Sequence, residues 1–367
     1  MPELDVKIER LEATAYTIPT DSPESDGTKE WDSTTWVVVH AGAGGEQGLG
    51  YTYGPSSVAH LITSMLADSV CGRSALEPQR RHAELRAALR DAGQAGLAAL
   101  ALSAVDIALH DLRARLLGLP LTVALGSVRD SVPVYGSGGF TTYDGARVAE
   151  QLGGWAAQGI PRVKMKIGRH PEQDAGRMEA AREAIGPDVA LMVDANGAFS
   201  PDAALAWAAS HERFGIDYFE EPVSSDDLPG MRHVRARIGS EISVAAGEYS
   251  WSPLDSRRML EAQAVDILQA DVTRCGGITA LLQIDALCQA HQRPFSAHCA
   301  PAITAHAGCA LATLIHCEYF HDHVRIEQML LDGIPPLRDA ALWPDPKLPG
   351  HGLTLREDEA RRYQAWP

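Results

Sequence analysis

Along most of this chain, short apolar runs alternate with segments in which apolar residues return every three or four positions. From Val132 onward the runs are VPVYGSGGF, RVKMKIG, ALMVDANG, IDYFEEPV, SVAAGE, VDILQADV, RPFSAHC and LIHCEYF. Segments of helical spacing, such as ARVAEQLGGWAAQG and SPDAALAWAASHERFG, separate them. A continuous apolar run bounded by turn residues fits a strand buried on both faces, as in a parallel sheet covered by helices. Eight such units predict an α/β fold of the (β/α)8 TIM-like barrel type. Upstream the pattern differs. Val6 to Ile18 alternates like a strand, and TTWVVVHAGAGGEQGLGYTYG reads as further strands joined by glycine turns. Between them Thr20–Ser33 (TDSPESDGTKEWDS) is polar and charged and reads as a mobile loop. Helical periodicity then occupies SSVAHLITSMLADSV and the region Pro78 to Leu117, interrupted by Gly93 and Gly96. The expected organisation is an N-terminal α+β domain over residues 1–126, a barrel over 127–340, and a tail over 341–367 that runs back across the surface.

A length of 367 residues agrees with one barrel plus a smaller domain. The net charge of −16 argues against nucleic acid and anionic membranes as partners. It leaves anionic small molecules open, because a metal or local lysines can reverse the sign inside a pocket. The charged, alternating N-terminus has no secretory apolar core, and no long apolar run occurs, so a soluble cytoplasmic protein is expected. Six cysteines without CxxC spacing read as buried free thiols in a reducing compartment.

Ionisable residues close the apolar runs. Asp194, Glu220, Glu248, Asp271 and His298 follow one another at intervals of 26, 28, 23 and 27 residues, about one βα unit each. Lys164 and Lys166 precede them and Glu318 follows. Side chains at the C-terminal ends of barrel strands converge on one mouth, where such barrels place their active sites. Lys164 and Lys166 alternate with apolar residues and so point the same way. Surface lysines on an edge strand are the plain alternative. If both face the barrel interior, crowding by a second cation lowers a lysine pKa and suits a general base.

Asp194, Glu220 and Glu248 end three consecutive strands and would repel one another without a cation. An all-oxygen set favours Mg2+. Singly, Asp194 could form an Asx turn, and either glutamate could cap a helix. Glu221 should face away from Glu220. Asp271 and His298 end adjacent strands, and a carboxylate on the far ring nitrogen would fix the tautomer of a basic histidine. A hydrogen-bonded core histidine is the alternative there, and is also the reading for His321–Asp322–His323. Glu318, if protonated, could donate to a developing oxyanion.

Taken together, Lys-x-Lys, VDAN, FEEP, AGE, QAD with GG five residues beyond its Asp, SAH and a closing CE resemble the mandelate racemase subgroup of the enolase superfamily. AVDIALHDLRARLLGLPLTVALG resembles that family's helix between cap and barrel. The resemblance implies an α+β capping domain, a modified enolase-type barrel and a tail packing back toward the cap. It further implies one Mg2+ on Asp194, Glu220 and Glu248, and Lys166 as a base assisted by Lys164. The His298–Asp271 dyad would stand on the opposite face, and Glu318 would touch the substrate carboxylate. The implied chemistry is removal of the proton α to a carboxylate with ene-diolate stabilisation. A small hydroxylated carboxylate would be the substrate and a homo-oligomer the implied assembly. Dehydration of an aldonic or aldaric acid to a 2-keto-3-deoxy acid is the expected reaction, and α-hydroxyacid racemisation or epimerisation the alternative. Muconate-type cycloisomerases are less favoured, since those relatives carry lysine where this chain has Asp271. A silent ligand-binding barrel would be expected to have lost at least one of the eight positions.

Overall fold

The computed structural model describes residues 6–366. The first five residues assigned above to the N-terminal domain, and Pro367 of the tail, lie outside the described residues. Strands β1 (Arg10–Ser25), β2 (Glu30–Ala43) and β3 (Glu46–Tyr53) form an antiparallel sheet, and Gln364–Trp366 pairs with the outer edge of β1. The segment expected to be a mobile loop is mostly strand. Glu24 pairs with Trp31 and Ser25 with Glu30, across a turn confined to residues 26–29. One short side chain organises that turn, since Asp26 Oδ1 accepts hydrogen bonds from the backbone nitrogens of Thr28 and Lys29, each at 2.7 Å. Polar composition alone does not distinguish such an Asx turn from a loose loop.

The capping sheet packs on the helix Leu97–Leu116, which is buried on nearly every side. Close approach requires glycine on β3, because a Cβ at Gly50 would lie 2.2 Å from the carbonyl oxygen of Ala104 on that helix. The polar residues of the helix serve as joints. Asp106 accepts from the backbone nitrogen and hydroxyl of Thr279 in the barrel, and Asp111 accepts from Leu49 N and His351 N.

The barrel strands are β4 (Val132–Gly138), β5 (Arg162–Lys166), β6 (Ala190–Asp194), β7 (Ile216–Glu220), β8 (Ser243–Ala246), β9 (Ile267–Ala270), β10 (Phe295–Ala297) and β11 (Leu314–Phe320). Each pairs in parallel with the next, and β11 pairs with β4 to close the ring. The large core lies between these strands and the outer helices. Inside the ring a small apolar layer of Tyr135, Met192, Tyr218, Ala245 and Ile267 fills the floor. Strand alternation sets the next layer, because Asp194 and Glu220 stand two residues beyond Met192 and Tyr218 and so share their face. Among the described residues no helix is long and apolar enough to cross a membrane. All six cysteines are free, five of them buried.

Candidate active site

Eight ionisable side chains singled out from the sequence meet in one buried cluster at the C-terminal ends of the strands. Asp194, Glu220 and Glu248 each offer an oxygen, and these atoms lie within 4.8 Å of one another. Each carboxylate meets a basic partner. Lys166 Nζ lies 2.5 Å from Asp194 Oδ2, Lys164 Nζ 2.7 Å from Glu220 Oε2, and His298 Nε2 3.0 Å from Glu248 Oε2. Lys164 also bridges to Glu318 Oε1 at 2.7 Å. Gln269 donates to Glu220 Oε2 at 2.8 Å and so orients that carboxylate. Ser137 donates to Glu318 Oε1 at 2.6 Å.

Two electrostatic expectations are corrected. Burial alone would pull both lysine pKa values down, but Glu220 and Glu318 hold Lys164 well above its ordinary value, and Asp194 raises Lys166. Attraction to carboxylates outweighs the repulsion between the two ammonium groups. Glu318 is also not a protonated donor. Burial would raise its pKa, yet Lys164 and then His298 bring it below the usual carboxylate range. It acts as an acceptor, taking hydrogen bonds from Ser137, Cys299 N and Cys299 Sγ.

The histidine dyad has the geometry of an oriented base. His298 Nδ1 is 2.8 Å from Asp271 Oδ2, and Asp271 Oδ1 is fixed by Thr273 N and Thr273 Oγ1 at 2.7 Å each. Burial disfavours the charged ring, but Cys299, Glu248, Glu318 and Asp271 together carry its pKa well above the ordinary value.

Lys166 and His298 both face a cavity of about 400 Å³, between the barrel mouth and the β1–β2 hairpin. Its wall includes Asp26, Lys29 and Trp31 from the hairpin, and Asn196, Arg274 and His323 from the barrel. His323 is a residue that sequence reasoning set aside. Its ring stacks on Tyr53 at 3.4 Å, and its Nδ1 accepts from Ala300 N. Burial lowers its pKa to about 3, so it is a neutral imidazole at the wall. A position five residues beyond Glu318, just past the last strand end, was the available signal. Arg274 was also missed. It bridges Asp271 and Glu248 at 3.4 Å each and is the third residue after the Asp of QADVTR. Glu221 stands outside the carboxylate trio, with φ of 37° and one buried oxygen lacking a partner.

The donor set suits a hard divalent cation. It consists of oxygens only, it is carboxylate-rich, and Glu220 Oε1 is buried without a hydrogen-bond partner. Residues 147–359 match the enolase C-terminal domain-like model, and residues 15–126 match the N-terminal domain of mandelate racemase / muconate lactonizing enzyme. The chain belongs to the mandelate racemase/muconate lactonizing enzyme family of the enolase superfamily.

Within that family, a mandelate racemase/muconate lactonizing enzyme-like protein from Rubrobacter xylanophilus is 57% identical. It superposes with a TM-score of 0.96, over 98% of this chain and 100% of that one. D-galactarolactone cycloisomerase of Agrobacterium fabrum is 35% identical over 276 residues, 74% of this chain and 72% of the relative. L-talarate/galactarate dehydratase of Salmonella typhimurium is 31% identical over 326 residues, 87% of this chain and 79% of the relative. A solved L-talarate/galactarate dehydratase variant, liganded with Mg and L-glucarate, superposes with a TM-score of 0.90 at 28% identity, covering 98% of this chain and 92% of that one. Relatives in this family thus include both dehydratases and cycloisomerases.

Proposed function

We propose that this protein is a Mg2+-dependent acid-sugar dehydratase that removes the proton at C2 of an aldonic or aldaric acid and expels the hydroxyl at C3. One observation carries the reading: two basic side chains, Lys166 and His298, open onto a single cavity beside a carboxylate trio. Asp194, Glu220 and Glu248 would hold the cation, and Mg2+ bound there supplies Lewis-acid stabilisation of the negative charge that builds on the substrate carboxylate. A cation held by the trio would offset the carboxylate charge that raises Lys166 and His298, and Lys166 then takes the C2 proton from one face, or His298 from the other, according to the configuration at C2. The conjugate acid of either base gives its proton to the C3 oxygen as the C3–O bond breaks, so water leaves. The resulting enol tautomerises to the 2-keto-3-deoxy acid. Asp271 keeps His298 in one orientation, and Lys164 adds positive charge near the forming anion. The mixed wall of Asp26, Lys29, Thr34, Asn196 and His323 suits a polyhydroxylated substrate, whose hydroxyls need hydrogen-bond partners.

A second reading has a specific ground. The similarity to a D-galactarolactone cycloisomerase points to expulsion of a ring oxygen rather than a free hydroxyl, using the same C2 deprotonation. That outcome softens the expectation against cycloisomerases, which rested on muconate-type relatives alone. Racemisation follows if the second base returns a proton to C2 and nothing leaves.

The test is a screen of purified protein with Mg2+ against acid sugars and their lactones, detecting 2-keto-3-deoxy products with semicarbazide. A positive with an open-chain acid supports dehydration, and a positive with a lactone only supports the cycloisomerase reading. A blank across both, with C2–H exchange in deuterated water, would replace elimination by racemisation.

A further inference from the structure

The capping hairpin and the barrel meet at a second cluster of ligand-type side chains, none of which lines the cavity described above. Asp21 and Glu24 belong to β1, and His321 directly follows β11. One atom from each lies within 4.8 Å of the others, and His321 Nε2 is 2.9 Å from Asp21 Oδ2.

Glu24 is the anomaly. It is fully buried, with 0% exposure. Its Oε2 accepts from Trp31 Nε1 at 2.8 Å, while its Oε1 is buried with no partner. Neither protonation state satisfies it. Ionised, it is a buried anion close to Asp21 and Asp322. Protonated, it carries a buried hydroxyl without an acceptor, which is destabilising because the lost hydration is not replaced. The neighbouring cations are engaged elsewhere. Arg325 Nη2 sits 2.6 Å from Asp322 Oδ1, and Arg147 Nη2 comes no closer to Asp21 than 3.9 Å.

We propose that Asp21, Glu24 and His321 form a second metal site, for a divalent transition ion of the Zn2+ or Mn2+ type. A bound cation removes the conflict at Glu24 by completing its free oxygen and offsetting its charge. One imidazole beside two carboxylates favours such ions over Mg2+, which prefers oxygen alone. Asp21 and His321 are partly exposed, so the ion has a path from solvent and water can complete its shell. The site would fasten β1 of the cap to the residue after the last barrel strand. Through Glu24 it would also steady Trp31, which forms part of the cavity wall.

The experiment is equilibrium dialysis of chelator-stripped full-length protein against low-micromolar Zn2+, with millimolar Mg2+ present throughout, and bound zinc read by mass spectrometry. Wild type should retain one Zn2+ per chain. His321→Ala and Glu24→Gln should each weaken that binding at least tenfold, while His298→Asn in the cavity should not. His321 lies at a partly exposed position, so His321→Ala with an unchanged circular dichroism spectrum decides the matter even if Glu24→Gln misfolds. Equal zinc retention by wild type and His321→Ala would overturn the proposal, as would a wild type that retains none.

Discussion

His298 Nδ1 and Asp271 Oδ2 stand 2.8 Å apart, with the other Asp271 oxygen held by Thr273. The contact leaves His298 Nε2 directed at Glu248 and the cavity side of the cluster. Asp271→Asn replaces an acceptor with an amide that can present a donor, so the ring is free to adopt the other tautomer. Turnover is expected to fall about 10²-fold or more, the scale of a lost general base. Affinity for Mg2+ should stay within a few fold, which separates the effect from damage to the trio. Steady-state kinetics beside a metal titration would show it, and full activity in the variant would remove the dyad from the mechanism.

Glu220 sits at the centre of the charged layer, touched by Lys164 and Gln269, with its Oε1 free of hydrogen bonds. Glu220→Gln keeps the shape and removes the charge. In wild type, saturating Mg2+ should raise the thermal midpoint, because a ligand that binds only the folded state stabilises it. The variant should show at least a tenfold weaker Mg2+ titration. An unchanged titration would take Glu220 out of the ligand set.

Gly27 lies at the tip of the β1–β2 hairpin, where an added Cβ would come 2.1 Å from the carbonyl oxygen of Ala195 and 3.0 Å from that of Ile167. No side chain fits without lifting the hairpin off the barrel mouth. Gly27→Ala is therefore expected to reduce kcat/KM by about tenfold or more, mostly through KM, with Mg2+ binding intact. Wild-type kinetics in this variant would show that closure of the hairpin is unimportant for substrate capture.

Asp106 couples cap to barrel through Thr279. Burial pushes its carboxyl up to about 7 against those hydrogen bonds. Because the folded-state pKa is raised, the folded protein binds the proton more tightly than the unfolded chain. The stabilising contribution is complete below the ordinary carboxylate range and is lost as pH rises through about 7. Urea unfolding at a series of pH values from 4 to 8 should show a decline in wild type that Asp106→Asn lacks in part. Parallel declines in both proteins would refute the assignment.

Much of this architecture was legible in the sequence because a barrel repeats one signal. Each apolar run ends in a polar residue, and the pleat places that residue on the same face as its neighbour two positions back, as with Met192 and Asp194 or Tyr218 and Glu220. What stayed hidden depended on contacts between distant segments. The hairpin turn rests on one Asx side chain, Asp26, inside a stretch whose composition suggests a loop. The lysine and Glu318 charge states were misjudged because their partners come from other strands, distant in sequence. His323 and Arg274 lie just beyond the strand ends, outside the regular interval that marks the other site residues, and only their nearness to Glu318 and Asp271 pointed to them.

Most directly at stake is whether Lys166 and His298 work on one α carbon from opposite faces. Proton NMR of aldonic and aldaric acids incubated with enzyme and Mg2+ in deuterated water reports loss of the C2 hydrogen without requiring later steps. Wild type should exchange it, while Lys166→Met and His298→Asn should each lose exchange by about 10²-fold or more for one C2 configuration and keep it for the other. Absence of exchange by wild type on every acid, or wild-type exchange of both configurations by both variants, would contradict the account.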